Sequence, residues 1–429
     1  MGSGFERVRS VEEALGVLEE QCEPHSRTET VPVSRARGRT VAEPIRAKRA
    51  VPHYERAAMD GYAVRAADTV GASDRSPVTL EATEGSVGSG QARQVHTGSA
   101  LPDGADAVVM VEQVDRRGDT LQVFDAVAVS ENVGPIGEDV EEETLLFEPG
   151  HRLGPADLGL ARGTGWSEVP VFERPRVAVV PTGEEVVEAD PDPGEIVETN
   201  GLTVEALATQ WGADATRHDI VTDDREALSA ALEDGSEADI VVTTGGTSVG
   251  ERDLVPSVVD ELGSMLVHGV SIKPGHPVGF GRVHETPVLT LPGYPVSCLV
   301  TAVQFLRPAI AWRGGWDAPP FPTTRAELTG KLPSEPGERT FARVTLEEAM
   351  TEGDQPETPA TEQEATMIPE DSSQTDEPVW SAAPLRVSGA SVLSSISFAD
   401  GWVVIPEDSE GIPAGEIVAV RHWDWEWRP

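Results

Sequence analysis

Cysteine is nearly absent: the 429 residues hold two, Cys22 and Cys298, far apart and outside any metal-type spacing. That argues against a disulfide framework and against a cysteine zinc site. Lysine is almost as scarce, with Lys48, Lys273 and Lys331 the three lysines among 33 basic residues; 74 acidic residues bring the formal net charge to −41. No basic stripe is present, so nucleic acid is not an expected ligand. An acidic, lysine-poor chain suits a cell interior at molar salt, where repulsion is screened within about 3 Å. The charge therefore reads as halophilic, haloarchaeal-like adaptation, with a basic partner as the alternative. A run of about 18 apolar residues is also missing, and the start MGSGFERVRSVEEALG has no apolar signal core. The expectation is a cytoplasmic protein that does not span a membrane.

Apolar residues make up 38% of the chain, with 42 glycines and 34 prolines, a composition for packed domains joined by many turns. The length implies about two to four domains. Helical spacing runs from Val11 to Gln21, with Ser10 as N-cap and Glu13 three residues on. Thr28 to Pro52 is strand-like, and residues 76–130 alternate short Val-rich strands with Gly and Asp turns. A Gly/Pro-rich connection, a short helix (Ala156 to Ala161) and a strand fill 139–175. From Arg176 onward RVAVVPTG, ADIVVTTGG and PVLTLPG read as buried strands. Leu202 to Gln210, Asp253 to Leu262 and PVSCLVTAVQFLRPAI read as helices. Such alternation predicts a parallel sheet covered on both faces. Past Trp316 the β pattern returns in FARVTLEE, PLRVSGASVLSSISFADGWVVIP and EIVAVRHW, interrupted by an acidic stretch from Met350 to Val379 that reads as a solvated loop. No internal repeat is visible.

Open α/β sheets bind ligands beyond the carboxyl ends of their strands. Three such ends carry glycines and small hydroxyl residues: Pro181-Thr182-Gly183-Glu184-Glu185, Thr243-Thr244-Gly245-Gly246-Thr247-Ser248-Val249-Gly250, and Leu291-Pro292-Gly293-Tyr294-Pro295-Val296-Ser297. Glycines let backbone N–H groups approach a phosphate or oxyanion, and a following helix adds a favourable dipole. Acidic neighbours such as Glu185, Glu251 and Asp253 make sense beside an anion if a divalent cation bridges them. Any one of these turns is weak evidence; three at successive strand ends are far stronger. Lys273, before Pro274-Gly275-His276, is a retained lysine in a chain that has almost given lysine up, which fits a cation for phosphate or another oxyanion; a chance surface lysine is the plainer reading. Alone, Asp60-Gly61, Thr97-Gly98, Gly104-Ala105-Asp106 and Gly137-Glu138-Asp139 would each be an ordinary turn.

Taken together these stretches are not independent. AAMDGYAVR, HTGSALPDGADAVVMVEQ, GEDV, PTGEEVV, ETN, TTGGTSVGERD, IKPGHP and LPGYPVS occur in one order over essentially the whole chain. In that order and spacing the sequence resembles the MoeA and gephyrin E-domain family. The resemblance implies a multidomain α/β plus β protein. A dimerising lobe would form from 1–50 and 139–175, around an inserted β-rich domain at 51–138. A MogA-like three-layer α/β domain would occupy 176–318, and a C-terminal β-barrel 319–429, with the acidic loop near 350–379.

It further implies an elongated homodimer with an active site between the α/β domain of one subunit and the β-rich domain of the other. The implied reaction joins molybdate to molybdopterin-AMP with Mg²⁺ and releases AMP. By resemblance, Asp60, Asp139, Glu185 and Lys273 would be catalytic. Asp223 and Asp253, with Glu185, would hold the metal. Thr182, Gly183, Gly245, Gly246, Ser248 and Gly250 would cradle phosphate. Thr97 and His276 would contact substrate, and Pro292, Gly293 and Pro295 would shape the adjoining turn. His276, His268 and Tyr294 depart from the residues common in the family, which leaves molybdate and tungstate both open as the oxyanion. A scaffold that binds pterin without catalysis is the reading from another class; the joint presence of Asp60, Asp139, Glu185, Asp253 and Lys273 argues against it. A generic nucleotide-binding α/β protein would not explain MDGYA. A MogA/MoaB-type adenylyltransferase is the implied source of the substrate.

Overall fold

The computed structural model describes residues 8–246, 254–348, 380–385 and 392–422. The acidic stretch 350–379 and the expected site residues Ser248, Gly250 and Asp253 lie outside the described residues. The chain divides into two compact units, Arg27–Phe172 and Met1–Ser26 with Glu173–Pro429.

Helix α1 (Val11–Glu19) starts on a capping box: Ser10 Oγ accepts from the Glu13 N–H (3.2 Å) and the Glu13 carboxylate accepts from the Ser10 N–H (3.1 Å). Its apolar stripe, Val11, Ala14 and Leu18, is buried in one core with Val177, Val179 and Ile310. Residues 8–26 thus pack with the α/β part and not with the lobe expected for 1–50.

In the unit Arg27–Phe172, Thr28–Pro32 pairs antiparallel with Glu168–Phe172. Val31, Ile45, Phe147, Leu153 and Val171 share a core there, so segments on both sides of the intervening sheet fold together. That sheet has six strands, in the order Ala107–Met110, Gly61–Val64, Gln91–Val95, Val78–Ala82, Thr120–Val123, Val114–Arg117. Three of them carry the functional turns and are called β1 (Gly61–Val64), β2 (Gln91–Val95) and β3 (Ala107–Met110). Val64, Ala92, Val109, Leu121 and Val123 form its separate core.

The other unit holds an α/β sheet of β4 (Arg176–Pro181), β5 (Asp214–Arg217), β6 (Ile240–Thr244), β7 (Gly263–His268), β9 (Gly279–Val283) and β10 (Thr286–Leu291). The short strand β8 (Ile272–Lys273) lies outside it. The order is β5-β4-β6-β10-β9-β7. The first four run parallel, but β9 is antiparallel to both of its neighbours, β10 and β7, so the sheet is mixed where a parallel one was expected. Residues of the buried strands alternate between two cores. Val177, Val179 and Val242 meet helices α2 (Asn200–Trp211) and α5 (Pro295–Arg313), whereas Val180 and Val241 meet α3 (Arg225–Gly235) and α4 (Val255–Leu262). This is the three-layer arrangement. Helix α5 has the length and apolar composition of a membrane span, yet Val296, Val300, Phe305 and Ile310 along it are buried in the first core.

Strands β11 (Thr323–Leu328), β12 (Arg339–Glu348), β13 (Trp380–Pro384), β14 (Gly401–Ile405) and β15 (Ile417–His422) close into a barrel in the order β12-β13-β11-β15-β14, with β14 returning to β12. Ala326, Leu328, Val344, Val403 and Val420 fill it. Ser394–Ser397, within a stretch read as β, forms a helical turn. Strand β8 adds in parallel to β12, with Ile272 opposite Arg339.

Candidate active site

Parallel pairing in register brings three carboxyl ends to one edge of the sheet: Pro181 lies opposite Thr244, and Thr244 opposite Leu291. The turns that follow touch. The Gly245 N–H donates to the Leu291 carbonyl (3.0 Å). Gly245 has φ 136°, and a Cβ there would lie 2.5 Å from the Thr182 carbonyl oxygen, so only glycine fits. A Cβ on Gly293 would lie 3.6 Å from Gly245 Cα. Gly183 donates its N–H to Val221 (3.2 Å). Beneath these turns the hydroxyls of Thr182, Thr243 and Thr244 are buried and have no hydrogen-bond partner among the described residues. Buried hydroxyls are normally satisfied, which makes these three unusual in the sheet edge beneath the turns. The structure therefore gathers Thr182, Gly183, Gly245, Gly246, Pro292, Gly293 and Pro295 around one edge.

An acidic corner adjoins the first turn. The Asp223 carboxylate accepts the Glu184 N–H, and burial, joined by the charges of Glu185 and Glu184, pushes its carboxyl above the usual range. Among the described residues no group of three His, Cys, Asp or Glu side chains converges with metal-holding geometry. Glu185 and Asp223 are neighbours; their expected third partner is Asp253.

Lys273 lies in β8, and its ammonium donates to Glu335 (2.8 Å), with Glu338 at 3.8 Å. The hydrogen bond to Glu335 holds its pKa up. The cation expected to be open to an anion is held by two carboxylates. The following turn packs on α5: a Cβ on Gly275 would lie 2.4 Å from the Thr301 side chain. The His276 carbonyl accepts the Val270 N–H (3.0 Å).

In the unit Arg27–Phe172, Asp60 immediately precedes β1, and Thr97 follows β2. Gly61 sits so close to β3 that a Cβ would lie 2.0 Å from the Val109 carbonyl oxygen, which explains the glycine after Asp60. Asp60 Oδ1 accepts from the Thr97 N–H (2.7 Å) and the Thr97 hydroxyl (2.9 Å). These donors, then the His96 ring, hold its carboxyl below the usual range. The Tyr54 hydroxyl donates to the Gly98 carbonyl (3.2 Å), fixing the same turn. Asp139 is exposed, and its N–H donates to Val51 (3.0 Å). No hydrogen bond or ion pair among the described residues joins Asp139 to Asp60; Glu138 pairs instead with Arg56 (3.1 Å).

Residues 9–165 match a family model for the MoeA N-terminal region (domain I and II), residues 178–312 one for a probable molybdopterin binding domain, and residues 371–423 one for the MoeA C-terminal region (domain IV). A putative molybdopterin biosynthesis protein of Methanocaldococcus jannaschii is 33% identical over 415 residues, 94% of each chain. The chain belongs to the MoeA family. Molybdopterin molybdenumtransferase 2 of Mycobacterium tuberculosis is 35% identical over 365 residues, covering 79% of this chain and 88% of the relative. The crystal structure of a molybdopterin biosynthesis MoeA protein from Pyrococcus horikoshii superposes with a TM-score of 0.76 at 29% identity, over 97% of this chain and 100% of that one.

Two features of this MoeA-family chain, one beside the strand-end turns and one in the barrel, were given no role by the sequence analysis. Glu198 and Asn200 stand at the start of α2, where an acid just ahead of a helical pattern is a readable capping signal. The Asn200 amide donates to the Gly293 carbonyl (2.7 Å). Arg343, in the middle of β12, has a buried Nε without an acceptor, and burial pulls its pKa down. Across the barrel face Arg343 lies opposite Trp402, and Trp402 opposite Arg421, whose pKa burial also lowers. Two part-buried cations without a described carboxylate, on so acidic a chain, suit an anion. An arginine between Ala342 and Val344 in a strand-like run was the available signal.

Proposed function

We propose that this chain is a molybdopterin molybdenumtransferase of molybdenum cofactor biosynthesis, which takes molybdopterin-AMP and molybdate and releases molybdenum cofactor and AMP. The observation that carries the reading is the meeting of three glycine-rich turns over buried threonine hydroxyls at the carboxyl ends of adjacent parallel strands. That arrangement presents backbone N–H and hydroxyl donors to phosphate oxygens, and the relative from Mycobacterium tuberculosis carries the name of this activity.

In this reading the Thr182 hydroxyl, the turn at Gly245 and Gly246, and the residues Ser248 and Gly250 bind the phosphates, and Pro292, Gly293 and Pro295 bound the same edge. Asp60, kept ionised by Thr97, presents a fixed negative charge at the metal-ligation step. Thr97 positions that carboxylate, Asp139 and His276 supply further polar contacts, and Lys273 contributes where an anion displaces Glu335 from its ammonium. Glu185 and Asp223, whose crowded charges suit a divalent cation, would hold Mg²⁺ together with Asp253. When bound, Mg²⁺ supplies neutralisation of phosphate charge. The working unit is a homodimer, for which light scattering of the active enzyme is the check. A MogA/MoaB-type adenylyltransferase supplies the adenylylated pterin, and the cytoplasm is the setting.

The test is to incubate the protein in concentrated KCl with molybdopterin-AMP, Mg²⁺ and either molybdate or tungstate, following AMP release and metal bound to pterin. Oxyanion-dependent AMP release with metal insertion is expected with molybdate. Tight binding without turnover under both oxyanions would overturn the transferase reading in favour of a scaffold. Asp60→Ala should leave folding and pterin binding intact and lower metal insertion by about 10²-fold or more; unchanged turnover would remove Asp60 from the mechanism.

A further inference from the structure

The third turn is held by few bonds. Pro292 and Pro295 have no N–H to give. Leu291 accepts from Gly245 (3.0 Å) and Tyr294 from Cys298 (2.8 Å), both through backbone carbonyls. The carbonyl of Gly293 accepts from Asn200 Nδ2 at 2.7 Å. Asn200 thus ties the turn to the start of α2 through a side chain.

Asn200 is itself fixed from behind. The Glu198 side chain is 2% exposed and accepts from Arg217 Nη1 at 2.9 Å. Its two oxygens also take the N–H groups of Gly201 (2.5 Å) and Leu202 (3.2 Å). These are amides that the first turn of a helix leaves unpaired. Arg217 is anchored in turn by Glu188 (3.2 Å). The start of α2 therefore spends these amides internally, on its own carboxylate. An anchored helix start with an amide reaching out of it is a brace for the neighbouring turn.

We propose that Asn200 is a positioning residue that holds the Pro292–Pro295 turn against Gly245 and thereby sets the width of the phosphate-binding edge, with Glu198 fixing Asn200. The inference rests on the transferase reading. Gly293 is exposed, so water can replace the amide at its carbonyl. Removing Asn200 therefore loosens the turn without unfolding the protein.

The experiment compares the full-length protein with Asn200→Ala, with the near-isosteric Asn200→Asp, which cannot donate as a carboxylate, and with Asn200→Gln, which keeps a donor. Kd for molybdopterin-AMP is measured without oxyanion, and KM and kcat for AMP release with molybdate. Alanine and aspartate should raise Kd and KM about tenfold, the loss of one well-placed hydrogen bond, with kcat within about twofold and glutamine in between. Unchanged Kd and KM in Asn200→Ala and Asn200→Asp, or a loss confined to kcat, would overturn the proposal. Hydrogen exchange of the Gly245 and Cys298 amides supplies a readout free of the substrate. Exchange should quicken in Asn200→Ala and Asn200→Asp, and unchanged exchange in both would remove the brace. If the wild-type protein neither binds nor turns over molybdopterin-AMP, the transferase reading fails, and the exchange result alone decides the brace.

Discussion

Asp60 and Thr97 show what a motif conceals. They are 37 residues apart in sequence, and the structure joins them through two hydrogen bonds to one carboxylate oxygen. Because the folded carboxyl is depressed, its ionised form persists below the ordinary value of 3.8. The linked stabilisation is present above the unfolded pKa and is lost as pH falls through the folded one. Thr97→Val removes the hydroxyl donor and keeps the N–H, so the acid limb of kcat should move part of the way up toward the ordinary value. A pH–rate profile checks this, and an unmoved limb would mean that the group titrating there is not Asp60. Lys273 teaches the converse. Its rarity in the composition flagged it, but its partner Glu335 lies 62 residues on, in a segment with no motif. Residue type and order can be read from one sequence; a side chain's partner is set by the fold around it.

At the scale of elements, strands buried on both faces were legible. RVAVVP and IVVTT are continuous apolar runs ending in glycine turns, and their register then placed the candidate site. The antiparallel half of the sheet was not legible, and the reason is steric. A Cβ on Gly281 would lie 2.3 Å from the Ser264 carbonyl oxygen, so β9 needs glycine where β7 passes, and glycine within a strand reads as a turn. Helix α3 was missed because Leu228, Leu232 and Gly235 are its buried residues, in a segment otherwise rich in charge. The start of α2 carries an energetic prediction. Glu198→Gln keeps an oxygen for the helix amides and loses the charge paired with Arg217, so it should cost about 2 kcal/mol in chemical denaturation. A cost near zero would show that Arg217 relaxes onto Glu188 and that Glu198 is not the anchor.

For the whole molecule, charge is the dominant fact, and it was fully legible in composition. With a net charge of −41, self-repulsion opposes compaction until salt screens it. Raising KCl from about 0.1 M to about 2 M should lift Tm by about 5 °C or more, roughly 2 kcal/mol; a flat or falling Tm would rule out the halophilic reading. The division into units was less legible, since no linker marks that α1 belongs with the α/β sheet. One core runs from Leu18 through Val242 and Ile310 to Phe341 and Trp402 of the barrel, while β8 hydrogen-bonds to β12. Modules joined in this way depend on one another for burial. A chimera that grafts a relative's barrel at residue 319 would cut through that core, leaving β8 to pair with a foreign strand and the α5 core to meet foreign side chains. Exchange between family members is better tolerated with α1, the α/β sheet and the barrel moved together, so the natural unit of shuffling here is larger than the sheets by which the fold is counted.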